Sequence, residues 1–234
     1  MKCLIFDAGG VLVYPRLGEW HIPYRAAEIL GPARAAEMKT QRFREAHAGS
    51  MHWLAEDQLV DGVEAERKLR RGFVEELGAR MGWNLSVEEA RALADDFTDN
   101  PDRYGCFDDV RPCLTAWKAR YRLGLLSDAM PSLYPLMAGF GILDLFDGVA
   151  ISTYVGATKP DPRMYHAILD KLGAKPEDCM FVDDRVVNLR GALESGLRAV
   201  LMSRPTFPAE EMWDGPVARD FAGLDAWLQE ESFI

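Results

Sequence analysis

Six polar residues stand where apolar runs stop. Asp7 follows Cys3-Leu-Ile-Phe6, Ser127 and Asp128 close Arg122-Leu-Gly-Leu-Leu126, Lys159 precedes a proline-led helix signal, and Asp183-Asp184 ends Met180-Phe-Val182. Taken singly, each has an ordinary structural explanation, because Asp and Ser close turns and cap helices and a lone Lys is usually a solvated charge. Taken together, Asp7, Asp183 and Asp184 with a hydroxyl and an ammonium make a set that can hold a hard divalent cation and a phosphoryl group. A carboxylate attacks a phosphate dianion only if the like charges are offset. Mg²⁺ bridging Asp7 and the phosphate, with Lys159 as a second cation, meets that need. Backbone N–H groups near Ala8–Gly10 and after Ser127 are placed to cradle the remaining phosphate oxygens, and the chemistry this predicts is an aspartyl-phosphate on Asp7.

These residues act together only if the chain brings the ends of separate strands to one edge. Apolar runs at residues 3–6, 122–127, 146–152, 180–183 and 198–202 read as buried strands, with helical segments between the later ones. Strands joined by helices imply a parallel sheet covered on both faces, and ligands bind such sheets beyond the carboxyl ends of the strands. The helix after Lys159 is well signalled, with Asp161 as cap, Pro162 at its first position, Met164, Ile168, Leu169 and Leu172 as inner stripe, and Gly173 as stop. From Pro15 to Asn100 the texture changes to Ala, Arg and Glu at helical spacing. Leu69, Phe73, Leu77 and Met81 share one helix face, and Ser86-Val-Glu-Glu89 is a capping box. The expected fold is α/β, a Rossmann-like core over residues 1–14 and 101–234 with an inserted α-helical cap over 15–100.

Composition narrows the function classes. Lys and Arg number 27 against 37 Asp and Glu, a net charge of −10 that repels a phosphate backbone. The basic run Arg67–Arg71 is interleaved with acids and reads as a solvated helix face, so no nucleic-acid partner is expected. Cys3, Cys106, Cys113 and Cys179 lack CxxC spacing, which indicates neither a zinc site nor a disulfide framework. The apolar run after Met1 is too short for a signal peptide, and no run approaches the roughly 18 residues of a membrane span. A cytoplasmic protein without a membrane partner is expected.

The segments Phe6-Asp-Ala-Gly-Gly-Val-Leu12, Leu125-Leu-Ser-Asp128, Gly156-Ala-Thr-Lys-Pro-Asp-Pro-Arg-Met-Tyr165 and Phe181-Val-Asp-Asp-Arg-Val-Val-Asn188 resemble, in order and spacing, the four motifs of the haloacid dehalogenase superfamily. The chain is similar to the members with a helical cap between the first and second motifs, such as the phosphoglucomutase-like phosphatases and the phosphatase domain of soluble epoxide hydrolases. The resemblance implies a Mg²⁺-dependent hydrolase of a small phosphorylated metabolite. Asp7 would be nucleophile and metal ligand, the Gly9 carbonyl a further ligand, and Asp184 a direct metal ligand supported by Asp183. Ser127 and Lys159 would hold the phosphate, and Asn188 would cap or orient. Asp128 stands where many relatives have asparagine, in the substrate-binding segment.

Gly9 departs from that pattern. Most phosphatases of the superfamily have a second aspartate here, which protonates the leaving oxygen and then activates water. General acid–base catalysis is worth roughly 10² to 10⁴ in rate, so its loss points to slow turnover unless another group compensates. A glycine at this position would also fit a positive φ that strains an aspartate. Other readings are a phosphate-binding or regulatory protein that has lost turnover, and a 2-haloacid dehalogenase in which Asp7 attacks carbon without metal. Against the latter stand the two acids beside Asp7, which would raise its pKa, and the aromatic residue that dehalogenases usually carry at the position of Gly9. Phosphonate hydrolysis through an imine would need Lys39 or Lys68. Substrate choice is expected from the cap, where Tyr14–Tyr24 is rich in aromatics. Trp20, Tyr24, His21, His47 and Trp53 read equally as packing residues.

Overall fold

Along Cys3–Phe6 (β1) the side chains alternate between two apolar clusters, Cys3 and Ile5 in one and Leu4 and Phe6 in the other, all fully buried. A strand covered on both faces loses the polar–apolar alternation of a half-exposed one, which is why it appears in the sequence as an unbroken apolar run. The computed structural model describes residues 1–18, 20, 22–55, 58–209 and 212–230.

After β1 come Val13–Pro15 (β2) and five helices, Ala26–Leu30 (α1), Pro32–Glu37 (α2), Gln41–Ser50 (α3), Val63–Met81 (α4) and Val87–Asp99 (α5). The chain then returns through Tyr104–Cys106 (β3), which pairs antiparallel with β2 and joins the two strands at the base of the helical insertion. The remaining elements are Val110–Trp117 (α6), Arg122–Ser127 (β4), Leu133–Gly139 (α7), Gly148–Ile151 (β5), Ser152–Val155 (α8), Pro162–Leu172 (α9), Cys179–Asp183 (β6), Val186–Glu194 (α10), Arg198–Met202 (β7), Val217–Ala218 (β8) and Phe221–Glu230 (α11).

Six strands form one parallel sheet in the order β5-β4-β1-β6-β7-β8. Helices α6, α7 and α11 bury Trp117, Met137 and Phe221 against one face, where the Phe6 ring packs 5.8 Å from Trp117 and 5.3 Å from Phe221 between centroids. Helices α9 and α10 cover the other face with Ile168, Leu172 and Leu189. The insertion has its own apolar cluster built on Phe73, Leu77, Met81, Leu93 and Phe97, with Leu69 packed at its margin. Met130, from the loop after β4, is buried in that same cluster.

The α/β class, the parallel sheet and the helical insertion are as expected from the sequence. The caps also form: Ser86 Oγ accepts from Glu89 N while the Glu89 carboxylate accepts from Ser86 N, and Asp161 accepts from Arg163 N. The short β2–β3 ladder and the two-residue edge strand β8 were not legible, because neither holds an apolar run of strand length. The fifth strand begins at Gly148 rather than Phe146, and Ser152 already opens α8. Among the described residues no helix is long and apolar enough to cross a membrane.

Candidate active site

Adjacent strands in a sheet lie about 4.8 Å apart, so three parallel neighbours deliver the residues beyond their ends to one small patch. Strands β4, β1 and β6 are such neighbours, with Phe6 in register with both Leu125 and Val182. Asp7 donates its backbone N–H to Val182 O at 2.9 Å, Ser127 ends β4, Asp183 ends β6, and Asp184 follows. Lys159 enters from the segment between β5 and α9. All six residues singled out at strand ends therefore lie along one edge of the sheet.

Lys159 is the hub of the patch. Its side chain is buried, and its Nζ donates to Asp7 Oδ1 at 2.7 Å and to Asp183 Oδ2 at 2.8 Å. Burial alone would lower its pKa, but the Asp183 and Asp7 carboxylates more than offset this and hold it above the ordinary ammonium range. Asp183 is fully enclosed and its oxygens are committed: Oδ1 accepts from Arg185 N and Asn188 Nδ2, and Oδ2 from Lys159 and Asn188. Asp128 Oδ1 accepts from the Lys159 backbone N–H at 2.9 Å, so this carboxylate fastens the loop that carries the lysine. Ser127 is buried at the strand end.

Asp184 differs from its neighbour. Among the described residues no side chain donates a hydrogen bond to it, and burial beside Asp7 and Asp183 pushes its carboxyl up to about 8. Burial likewise raises Asp7 to about 6 in spite of Lys159. Oxygens of Asp7, Asp183 and Asp184 all lie within 4.8 Å of one another. Among the described residues Asp7, Asp128, Asp183 and Asp184 thus face the one ammonium of Lys159, and a cation with oxygen affinity fits in place of the proton that burial holds on Asp184.

Two adjacent glycines shape this edge in different ways. Gly10 has φ +69°, and a Cβ there would lie 2.3 Å from Asp184 Oδ2, so both backbone and space demand glycine. Gly9 does not have the positive φ expected of it. A Cβ at Gly9 would instead meet the Trp20 ring at 3.2 Å. The indole edge, brought in from the chain after β2, covers the position where a longer side chain would project.

Trp20 also lines a cavity of about 440 Å³ between the insertion and the core, which Asp128 borders as well. Sequence reasoning missed two further residues here. Arg70, on α4, faces this cavity and donates through Nε to Glu66 Oε1 at 2.8 Å. Glu66 is fully buried and also accepts from Ser132 N at 2.7 Å and Ser132 Oγ at 2.8 Å, which ties the insertion to the loop after β4. A Glu and an Arg four residues apart read as a surface pair, and nothing local marks them as buried. Lys39 and Lys68 are exposed and neither lines the cavity. His47 packs against Phe43 and Phe73, Trp53 donates to Glu76, and His21 lies outside the described residues.

Comparison with known proteins agrees with this architecture. The chain is similar to phosphatase MT3486 of Mycobacterium tuberculosis, with 36% identity over 125 residues, 52% of this chain and 55% of that protein. It is 33% identical over 152 residues to a phosphoserine phosphatase of Thermus thermophilus, covering 64% and 58% of the two chains. The chain thus spans a little over half the length of these curated relatives. Among solved structures, L-2-haloacid dehalogenase from Xanthobacter autotrophicus superposes with TM-score 0.69 at 22% identity over 98% of both chains. A HAD phosphatase from Thermococcus onnurineus gives TM-score 0.65, also at 22% identity, over 97% of this chain and 98% of that one. At such identity these two show the fold alone. The family description "haloacid dehalogenase-like hydrolase" matches residues 1–196, and the chain belongs to that family of hydrolases.

Proposed function

We propose that the protein is a Mg²⁺-dependent phosphomonoesterase acting on a small phosphorylated metabolite through an aspartyl-phosphate on Asp7. The observation that carries this reading is Asp184, a half-buried carboxylate to which no side chain among the described residues donates, set beside Asp7 and raised to about 8. Metal-free attack on carbon gives such a group no task, whereas a phosphate dianion needs the cation that Asp184 would help to hold. The named phosphatases among the relatives support the same side.

In this reading Asp7 and Asp184, with the Gly9 carbonyl, would hold the cation, and Asp183 is the support that fixes Lys159 and Asn188. When bound, Mg²⁺ supplies charge neutralisation between the carboxylates and the phosphate. Lys159 orients the Asp7 carboxylate through its 2.7 Å contact and presents positive charge to the phosphoryl oxygens. Ser127 Oγ and the backbone N–H groups after β1 and β4 bind the remaining oxygens. Asp128 positions Lys159 through its backbone. Asp7 attacks phosphorus, the ester oxygen leaves, and water then cleaves the acyl phosphate. The core at residues 1–14 and 101–234 thus performs the chemistry, and the cap at 15–100 selects the leaving group.

The Trp20 edge over Gly9 favours a second reading, in which turnover is weak and phosphate binding is the function, because no carboxylate stands at that position to serve as acid and base. Phosphate release from acetyl phosphate and small monoesters, with Mg²⁺ and with excess chelator, tests both. Mg²⁺-dependent multiple turnover supports the hydrolase. A single stoichiometric phosphorylation of Asp7 supports the binding protein, and chloride release from 2-chloropropionate in chelator would replace both with dehalogenation.

A further inference from the structure

The cavity between insertion and core has aromatic walls held at a fixed separation. Arg103 is buried and donates from Nη2 to Trp20 O at 2.9 Å and from Nη1 to Phe97 O at 3.0 Å and Tyr104 Oη at 3.1 Å. Its guanidinium lies 4.4 Å from the Phe97 ring centroid and 5.0 Å from that of Tyr104. One buried arginine therefore fastens the carbonyls of Trp20 and Phe97, from the two ends of the insertion, and braces Tyr104. Trp20, Phe97 and Tyr104 all line the cavity, and Leu54, Met130 and Leu136 extend the apolar part of its surface. Walls fixed before a ligand arrives cost little to order on binding.

Arg70 supplies the polar feature. Its Nε is held by Glu66, whose own oxygens are anchored to Ser132, and the guanidinium lies 5.2 Å from the Phe97 centroid. The bonds of Glu66 use one edge of the guanidinium, and among the described residues no acceptor engages Nη1 or Nη2. An arginine anchored through Nε and open at its terminal nitrogens is oriented to receive a planar acceptor with two oxygens. Asp99, which accepts from Arg67 Nη2, and Asp128, which accepts from the Lys159 backbone, also border the cavity, so its charges admit one singly charged carboxylate on Arg70 more readily than a second phosphate.

We infer that this cavity is a leaving-group site for a flat apolar or aromatic body bearing a carboxylate, and that Arg70 determines specificity by receiving that carboxylate. The inference rests on the phosphomonoesterase reading for the identity of the reacting end. It also agrees with Gly9, since an aromatic or enolic leaving oxygen departs without the proton an alkoxide requires.

The test is binding, independent of turnover. With Mg²⁺ present, calorimetry compares methylphosphonate, benzylphosphonate, and whichever of 3- or 4-carboxybenzylphosphonate binds tighter. Benzylphosphonate is expected to bind about tenfold tighter than methylphosphonate through buried apolar area, and the carboxylate to add about tenfold more as a charge-assisted bidentate contact. Arg70→Lys, which keeps the charge and loses the fork, is expected to remove most of the carboxylate increment. The double variant Glu66→Gln/Arg70→Met avoids leaving a buried anion unpaired and is expected to abolish the increment while keeping the benzyl preference. Equal binding of the carboxylated and plain benzyl compounds by the unaltered protein would overturn the role of Arg70, and equal binding of benzyl and methyl compounds would overturn the site. Acetyl phosphate, an acyl phosphate whose leaving group is too short to fill the cavity and departs without a proton, reports separately on phosphoryl transfer to Asp7. Its turnover alongside failed benzyl binding sinks only the cavity assignment, and the reverse outcome sinks only the reaction.

Discussion

Two neighbouring regions of the molecule solve opposite physical problems. At the sheet edge, Asp7, Lys159 and Asp183 are buried charges whose donors and acceptors are almost all used within the protein. Across the gap, the cavity walls are mainly apolar, with Asp99, Asn100 and Asp128 also on the lining, and among the described residues no acceptor engages the terminal nitrogens of Arg70. The first region is organised by charge, where a lost partner is expensive. The second is organised by shape, where a lost side chain changes which ligand fits. The contrast teaches that the proposed reaction and its proposed selectivity can be tested separately: the former is assigned to the strand ends, and the latter to the insertion with its two linking segments.

Substitutions at the sheet edge should therefore have the larger effects. Asp7→Asn keeps size and fold but removes the nucleophile, and steady-state phosphate release is expected to fall by about 10⁴-fold or more. A variant with near-normal turnover would remove Asp7 from that role. Lys159→Met leaves Asp7 and Asp183 buried without their shared cation, and denaturant unfolding is expected to show a loss of about 3 to 5 kcal/mol. Adding Asp183→Asn to it should recover part of that loss. A smaller penalty in the double variant than in the single one identifies the stranded charge, rather than lost packing, as the cause.

At the boundary between the regions, Gly9→Asp introduces a carboxylate under the Trp20 ring, which has to give by a few tenths of an ångström. The alkyl-to-aryl ratio of kcat/KM is expected to rise, by up to about 10²-fold when Trp20→Ala makes room. An unaltered enzyme already fast on alkyl phosphates would show that a proton donor exists elsewhere.

The last effect expected is on stability and its dependence on pH and metal, with little on turnover at saturating Mg²⁺. Folding raises the Asp184 carboxyl to about 8, so the folded state holds a proton that the unfolded chain releases near pH 4. Its contribution to the stability of the metal-free protein is then complete at the acid end and is lost as pH climbs through 8. Melting should show this slope, with Mg²⁺ raising Tm by a few degrees, more at pH 8 than at pH 6. Asp184→Asn is expected to flatten the slope above about pH 6, leaving the part below it that Asp7 contributes, and to abolish the Mg²⁺ increment. A Mg²⁺ shift that survives this substitution would place the cation elsewhere.

Much of the molecule was legible in one dimension, for reasons that are local. A strand buried on both faces must be apolar throughout, so β1, β4, β6 and β7 appear as runs, and the polar residue that ends each run marks the sheet edge. Helix α9 carries its own start and stop in Asp161, Pro162 and Gly173. The order of the four motifs then led to the family to which the chain proved to belong. What local reading could not supply was the partner of each charged group. Asp183 and Asp184 are adjacent and identical in type, yet one is saturated by Lys159, Asn188 and the Arg185 backbone while no side chain among the described residues donates to the other. Consecutive residues leaving a strand point different ways, and only the packed neighbours determine what each one meets. Likewise Gly9 and Gly10 look interchangeable in sequence, but one lies under the Trp20 ring and the other against Asp184. Glu66, Arg70 and Arg103 carry no motif at all, because their burial arises from contacts between the insertion, its linking segments and the loop after β4. Sequence determined strands β1, β4, β6 and β7, the caps of α5 and α9 and the residue types at the sheet edge, since each follows from periodicity and local hydrogen bonding. Tertiary structure alone decided which charges are compensated and what shape the cavity has, since both depend on side chains brought together from distant parts of the chain.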